Sequence, residues 1–404
     1  MSSVVFFNAL VVAISMLGMR TYVKIAKFIV VCPMSVIILL TVMIFYKFGF
    51  RDSMLSIRST LEPNFRKLMA IRAWTDAVLH VMPSLGVANG IFIVISSMKK
   101  FDNNAIRDTV FVVVVDILCS IFSCFLISPI IGYTASQMYA MTDKTVFGHK
   151  MRYLIGDWSQ LPYTYMPSAF GHTSAELGLL SALYIAVFVM SLGPQVVALE
   201  MIVLTVYRTF PGLLQMDERI SRKFICSAYL AAMFAYCYVA NDEKTSGHFL
   251  ETYYVLIPLP FLAILEIAVM VHLYRMPRFI VNMKTMLGKP PSKLWRFFGY
   301  PVGWYWTATL YVITPVTCCV TGVLLFFDGR IGETLTRANL FRAATAVLIT
   351  PSIVVATLIY KVITTVKVGQ SFRNLFVTDF KWGPKRLMDR QRAIHEEHAA
   401  RIYT

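Results

Sequence analysis

Charged residues are scarce in this sequence, and the scarcity argues against an ordinary soluble protein. Only 15% of the residues are Asp, Glu, Lys or Arg, whereas 57% are hydrophobic. A soluble domain carries about a quarter charged residues. The composition therefore predicts a chain whose main solvent is the hydrocarbon core of a membrane.

The motifs of enzymes and metal centres are also missing. The sequence contains no HExxH motif, no glycine-rich nucleotide loop and no Ser/His/Asp set, so a membrane enzyme finds little support. The seven cysteines lie in apolar runs without CxxC spacing. This placement favours small buried hydrophobic residues over a metal or redox centre.

Long apolar runs are abundant instead. A run of about 18 or more residues is long enough to cross a bilayer as a helix. The sequence predicts an all-α polytopic membrane protein, and the span count and the long segment 139–177 disfavour a G-protein-coupled receptor. The nine candidate spans are residues 3–18, 26–46, 73–98, 109–138, 178–206, 221–240, 252–275, 303–327 and 340–366.

The net charge of +16 invites a nucleic-acid interpretation, but the distribution of the basic residues opposes it. If the first span begins outside and the spans alternate, the inside segments hold 25 of the 38 Lys and Arg residues. This asymmetry follows the positive-inside rule. We expect a transmembrane bundle over 1–366, an extracellular loop at 139–177 and a cytoplasmic tail at 367–404, with no nucleic-acid partner.

Two of the predicted spans carry helix-breaking residues. Pro83 and Gly86 lie in the middle of the third run, and Gly193-Pro194 lies within the fifth. Proline removes a helix donor, and glycine lowers the cost of unwinding. Broken helices hold substrate and ions in secondary transporters. A proline kink packed against a neighbouring helix is the alternative at both positions.

Ionisable side chains inside the predicted spans are a second pointer to function. Asp116 and Glu266 are each surrounded by apolar residues, and such carboxyl groups are costly unless paired, protonated or hydrated. The alternative to a functional role is a protonated acid bonded to a neighbouring helix. His80 could bond Asp116 if their spans touch, although a lone intramembrane His is more often structural.

The segment Ser96–Asp108 connects the chain to a family. Its sequence, SSMKKFDNNAIRD, resembles the Ser-Tyr-x-Lys-Phe-Asn-Asn-Asn-x-x-Arg-Asp loop of the neurotransmitter:sodium symporters. These are sodium- and chloride-coupled carriers of amino acids and monoamines. Further similarities run in the family's order from about residue 3 to 390, at Ser84-Leu85-Gly86, Ile131–Ala135, Leu192-Gly193, Leu199-Glu200, Phe210-Pro211, Arg278-Phe279, Met286–Gly288 and Trp382–Pro384.

The resemblance implies a specific architecture. The family has twelve spans, the first ten in two inverted five-helix repeats. This chain resembles the family from the fourth helix onward, so we expect a partial inverted-repeat fold of about nine helices. We interpret the chain as a truncated gene model or isoform without the first three spans. An integral protein of the plasma membrane is expected.

The resemblance also implies ion ligands. Ser84 matches a hydroxyl that contacts one sodium ion and the chloride, and Asp116 stands where the family has an Asn with the same two contacts. Ser120 matches a chloride-contacting Ser, and His80 stands where a chloride-contacting Gln is usual. A fixed carboxylate opposes a mobile anion, so we expect Asp116 to reduce any dependence on chloride.

A substrate pocket is implied around the broken helix. The resemblance assigns substrate binding to Met82, Pro83, Ser84, Gly86 and Asn89. Pro83 stands where the family has an aromatic gate, and Asn89 replaces a pocket Phe. Glu251 matches the acid of the extracellular gate.

The second sodium site looks degenerate. Gly193 and Pro194 stand where the family has Asp or Thr followed by Ser, and neither residue has a side-chain oxygen. Pro33 matches the proline at which the fifth family helix unwinds, but Val23 replaces the glycine ten residues before it. We expect this sodium site to be lost or much weakened.

Two functions remain open at this point. One is a divergent sodium-coupled symporter for an amino acid, monoamine or related solute. The other is a transport-incompetent relative that acts as an interaction partner of complete transporters. Both imply contact with the bilayer, and homo- or hetero-oligomers with other transporters are compatible with either.

Overall fold

The computed structural model describes most of the predicted helical regions. The described residues are 2–62, 65–97, 99–139, 167, 174–210, 218–239, 257–288, 292–293, 303–327, 352, 354–367, 369, 371, 384 and 386–400. Every regular element within these ranges is helical. The all-α membrane architecture predicted from the apolar runs is confirmed.

The helices are connected by segments that the structure describes only in part. In chain order they are α1 (Ser2–Met16), α2 (Met19–Phe48), α3 (Phe50–Leu61), α4 (Phe65–Leu68), α5 (Ile71–Ser84), α6 (Ile91–Ser97), α7 (Ala105–Tyr139), α8 (Ser174–Thr209), α9 (Glu218–Val239), α10 (Pro258–Ala268), α11 (Met276–Leu287), α12 (Trp304–Ala308) and α13 (Thr314–Phe327). Single-turn π-helices, Val269–Leu273 and Thr309–Ile313, continue α10 and α12. Residues 354–367 are mostly helical, and the helix Leu387–Ala399 is called the tail helix.

Four helices within the described ranges are long and apolar enough to cross a membrane, and a bent fifth is added if its two halves count as one span. The four are Thr21–Phe48, Ala105–Tyr133, Glu176–Tyr207 and Trp304–Leu325. The bent span joins Pro258–Leu273 to Met276–Leu287 at 90°. Most of the predicted loop 139–177 and part of the predicted span 340–366 lie outside the described residues, and the last four residues of that loop, 174–177, belong to α8. The count of nine, the inverted repeat and the boundary at residue 366 therefore stay predictions.

The chain divides into two compact units. Unit 1 comprises Met1–Phe65 and Val114–Asn241, and unit 2 comprises Arg66–Val113 and Asp242–Thr404. Each unit has its own apolar core.

Unit 1 is organised around the long helix α8. This helix has 36 residues, which is about 54 Å at 1.5 Å per residue and exceeds a hydrocarbon core of about 30 Å. Its buried residues recur at three- and four-residue spacing, which forms one apolar stripe. α2 packs along α8, and α1 contacts both α8 and α9. The stripe consists of Leu192, Val196, Leu199 and Val203, with Val11, Tyr207, Ile225 and Cys226 packed against it.

Unit 2 packs α10 and α5 against α13. Its core joins Met82 to Leu259, Ala263 and Cys318. Gly322 on α13 allows the closest approach, because a Cβ atom there would lie 3.1 Å from Cζ of the Phe261 ring. A larger residue would force that ring away from its present position.

Candidate functional site

The interruption predicted in the third span is present. α5 ends at Ser84 and α6 begins at Ile91, so six residues between them leave the helical path. Gly86 and Gly90 have φ values of 63° and 72°, in the left-handed region that favours glycine. Ala88 also has a left-handed φ, of 59°. Because alanine carries a Cβ atom, this backbone conformation stores strain of order 1–3 kcal/mol.

Packing explains why Ala88 keeps this conformation. Ala88 is partly buried and packs against the core cluster of unit 2. Met82, predicted to bind substrate, is 5% exposed and forms part of that core. Apolar contacts of unit 2 therefore hold the unwound segment in place.

The other predicted substrate residues lie at the break itself. Ser84 is the last residue of α5, and Pro83 precedes it within the final turn. The carbonyl oxygens of Met82 and Pro83 accept hydrogen bonds from Val87 N at 2.9 Å and Gly86 N at 3.1 Å. A Cβ atom on Gly86 would lie 3.5 Å from the Phe92 ring. The break is thus a hydrogen-bonded turn, which is a fixed scaffold for polar groups.

The predicted ion ligands divide between the two units. His80 and Ser84 belong to unit 2, and Asp116 and Ser120 belong to unit 1. Asp116 and Ser120 are one helical turn apart on α7, so they share a face. The joint sodium and chloride assignments stay predictions. Glu251 lies outside the described residues.

Metal centres of a conventional kind are not found in the described ranges. No three His, Cys, Asp or Glu side chains there converge enough to hold a metal ion. The side chains of six of the seven cysteines are described, and all six are free thiols. Oxygen donors such as Ser84 and Asp116 have the chemistry that a hard cation prefers.

Gly193 and Pro194 do not interrupt their helix. α8 runs continuously from Ser174 to Thr209 through both residues, so a proline within a continuous helix is the correct one of the two predicted alternatives. The hydroxyl of Tyr22 on α2 donates to the carbonyl oxygen of Gly193 at 3.1 Å. A Cβ atom on Gly193 would lie 3.4 Å from that hydroxyl, so glycine permits the approach of α2.

The loss of a second sodium site at this position stays a prediction. Gly193 and Pro194 offer no side-chain oxygen, and the carbonyl oxygen of Gly193 already accepts the Tyr22 hydroxyl. Sequence reasoning did not identify Tyr22. Its only signal was a hydroxyl-bearing aromatic residue next to Val23, which occupies the family's glycine position.

A buried charge pair was also missed. Glu200 on α8 is 4% exposed, and its Oε1 accepts from Ser15 Oγ of α1 at 2.9 Å. Arg222 of α9 donates from Nη2 to the same oxygen. One carboxylate therefore joins three helices of unit 1. The sequence showed Leu199-Glu200 only as a family similarity.

An interrupted helix, in a chain whose described part has four or five helices apolar enough to cross a membrane, is typical of secondary transporters. A model of the sodium:neurotransmitter symporter family matches residues 1–327. The chain belongs to this family, which consists of transporters and not of enzymes.

Several named relatives are similar at low identity. A mouse sodium- and chloride-dependent neutral and basic amino acid transporter B(0+) is 27% identical over 258 residues, covering 63% of this chain and 37% of the relative. A Xenopus laevis sodium- and chloride-dependent glycine transporter 2 is 25% identical, covering 58% and 28%. A Caenorhabditis elegans sodium-dependent acetylcholine transporter is 24% identical, covering 68% and 37%. The chain spans well under half the length of these relatives.

Proposed function

We propose that this chain forms the ion- and solute-binding part of a sodium-coupled secondary transporter for an amino acid, a monoamine or a related solute. The observation that carries the proposal is the unwound segment between Ser84 and Ile91, in a chain of the symporter family. Unwound backbone at membrane depth is tolerated where protein or a hydrated cavity satisfies it. Ser84 lies at its edge with a hydroxyl suited to a sodium ion.

The orientation follows from charge. The excess of Lys and Arg in alternate connections supports a cytoplasmic tail at residues 367–404, and the family relationship is the reason to propose a location in the plasma membrane. An epitope placed after Thr404 should be labelled by antibody only when the plasma membrane is permeabilised. Labelling of intact cells would contradict this orientation.

Uptake in cells tests the transport proposal. Cells that express the chain are supplied with radiolabelled amino acids or monoamines, with sodium or with an impermeant organic cation. We expect saturable uptake that requires sodium and that Ser84→Ala abolishes. Ser96→Ala is the matched control, because Ser96 lies on α6 beyond the break and its hydroxyl bonds only to the carbonyl of Ile93 at 3.1 Å.

A second function is supported by a specific observation. The Tyr22 hydroxyl donates to the carbonyl oxygen of Gly193, and Gly193-Pro194 has no side-chain oxygen for a sodium ion, which favours a transport-incompetent relative that acts on other transporters. Co-expression with a complete transporter separates the two proposals. Uptake by the partner that changes with this chain present, while the chain alone shows no sodium-dependent uptake, would support the second function and overturn the first.

A further inference from the structure

The tail helix packs against α11 within unit 2, although it has little apolar surface for the contact. Of its thirteen residues, only Ala393 and Glu397 are buried. Alanine contributes only a single methyl group to an apolar contact. A hydrophobic face therefore does not account for the docking of this helix.

The docking depends on one carboxylate. Glu397 is 4% exposed, and its Oε1 accepts from Arg278 Nε at 2.9 Å and from Asn282 Nδ2 at 2.6 Å. Arg278 and Asn282 are one helical turn apart on α11, so Glu397 bridges a full turn of that helix. A buried carboxylate is costly unless it is paired in this way.

The two donors are themselves held by one aromatic residue. The guanidinium of Arg278 lies 5.4 Å from the centroid of the Tyr274 ring, within the range of a cation–π contact. Asn282 Nδ2 also donates to the Tyr274 hydroxyl at 2.6 Å. The receiving site for Glu397 is therefore preformed on α11 and its preceding turn.

α11 lies on the far side of a bend. The α10 helix passes into the π-helix Val269–Leu273, and Arg275 then takes a φ of 69° before α11 leaves at 90°. A left-handed φ at a residue other than glycine is strained, and π-helical turns often lie at functional sites. The tail helix therefore contacts α11, the helix that follows the strained bend at Arg275.

The same helix has a second, weaker contact. Arg392 Nη1 lies 3.8 Å from Asp102 Oδ1, and both side chains are exposed. Asp102 belongs to the connection between α6 and α7, directly after the broken span. A cavity of about 330 Å³ lies beside the tail helix, lined by Phe101, Pro384, Arg390 and Ile394 among others. The contact is therefore polar and incompletely packed.

We propose that the tail helix is a releasable clamp on the bend at Arg275, and that Glu397 is the residue that holds the clamp closed. In the closed state, the tail helix holds α11 against the α10 span and contacts the connection after α6. Released, it leaves the bend free to change its angle. Because an isolated helix of this length is only marginally stable in water, release also unfolds the tail helix.

Amide hydrogen exchange of the purified full chain tests the clamp. We expect slow exchange at 387–399 in the wild type, and Glu397→Ala to raise the exchange rate of these amides by about tenfold or more. Glu396→Ala is the matched control, because Glu396 is exposed on the same helix. It should leave the rates within about twofold of the wild type.

Two further measurements keep the outcome decisive. Arg278→Gln removes the α11 partner of Glu397, and it should raise the exchange rate of the amides of 387–399 as Glu397→Ala does. The double variant should exchange no faster than either single variant. Exchange at 190–209 in unit 1 should stay unchanged in all variants, which shows that the protein remains folded. Wild-type protection of 387–399 in both Glu397→Ala and Arg278→Gln would overturn the proposal, and so would equal effects of Glu396→Ala and Glu397→Ala.

Discussion

The Tyr22 hydroxyl donates to the carbonyl oxygen of Gly193 at 3.1 Å, across a sequence separation of 171 residues. This bond fastens the first turn of α2 to the middle of α8. It lies where the family resemblance places a sodium ion, and Gly193 and Pro194 have no side-chain oxygen to bind one. The bond is a direct polar contact between α2 and α8.

Removing the Tyr22 hydroxyl should destabilise unit 1. Tyr22→Phe keeps the ring and loses one hydrogen bond, which is worth about 0.5–1.5 kcal/mol. We expect the midpoint of thermal unfolding in detergent to fall by a few degrees. Tyr46→Phe on the same helix is the control, because Tyr46 is 85% exposed. Equal midpoints for the two variants would show that the bond contributes nothing.

Breaking the Glu200–Arg222 charge pair should lower the free energy of unfolding more than Tyr22→Phe does. Glu200→Ala leaves the Arg222 guanidinium buried without its carboxylate, which costs about 3–5 kcal/mol in buried pairs. The Lys47–Glu176 pair, 2.8 Å long and with side chains 23% and 18% exposed, gives the comparison. Glu176→Ala should cost less than Glu200→Ala, because the Glu176 side chain is 18% exposed and the Glu200 side chain is 5% exposed.

The double variant Glu200→Leu/Arg222→Met sharpens this prediction. It removes both charges and should recover most of the stability lost in Glu200→Ala, because no unpaired charge remains. Unfolding midpoints of the four proteins give the comparison. A double variant as unstable as Glu200→Ala would assign the loss to packing around α8 and not to the charge.

Gly322 and Gly178 have different surroundings, and replacing each with alanine should change the stability of the protein in opposite directions. Gly322→Ala places a Cβ atom 3.1 Å from Cζ of Phe261, and overpacking of this kind typically costs 1–3 kcal/mol. Gly178→Ala meets nothing within 4 Å and should gain about 0.5–1 kcal/mol from helix propensity. Phe261→Leu should relieve the defect of Gly322→Ala. Unfolding midpoints that move in the same direction for both glycines would argue against this packing.

The Asp116 carboxylate should make transport insensitive to chloride. Replacing chloride by gluconate should leave sodium-dependent uptake unchanged in the wild type, because a fixed negative charge opposes an anion at the same place. Asp116→Asn removes this charge and should make uptake depend on chloride. Uptake that requires chloride equally in both proteins would contradict the assignment.

Local chemistry was predictable from the sequence, and distant pairing was not. Pro83 and Gly86 indicated either a broken span or a packed proline kink, because proline and glycine act on their own backbone, and the structure has α5 ending at Ser84. Gly193-Pro194 was ambiguous, because the local sequence shows the missing helix donor but not the packing that keeps α8 continuous. The remaining turns of α8 are held by tertiary packing along an apolar stripe, and packing outweighs one missing donor.

The residues that sequence reasoning missed act across long separations. Ser15 and Glu200 are 185 positions apart, and Arg278 and Glu397 are 119 apart. Each of these residues resembles an ordinary polar side chain until its helix is placed beside another. Periodicity gives the face of a helix but not its neighbour, so these contacts required the fold.

Sodium-driven accumulation by the purified chain in proteoliposomes tests the central claim most directly. An inward sodium gradient should drive uptake of a labelled amino acid or monoamine above its equilibrium level, and a sodium ionophore should collapse that uptake. Ser84→Ala should remove it and Ser96→Ala should not. Uptake that never exceeds equilibrium in the wild-type protein, with or without the gradient, would contradict the claim that this chain is a sodium-coupled transporter.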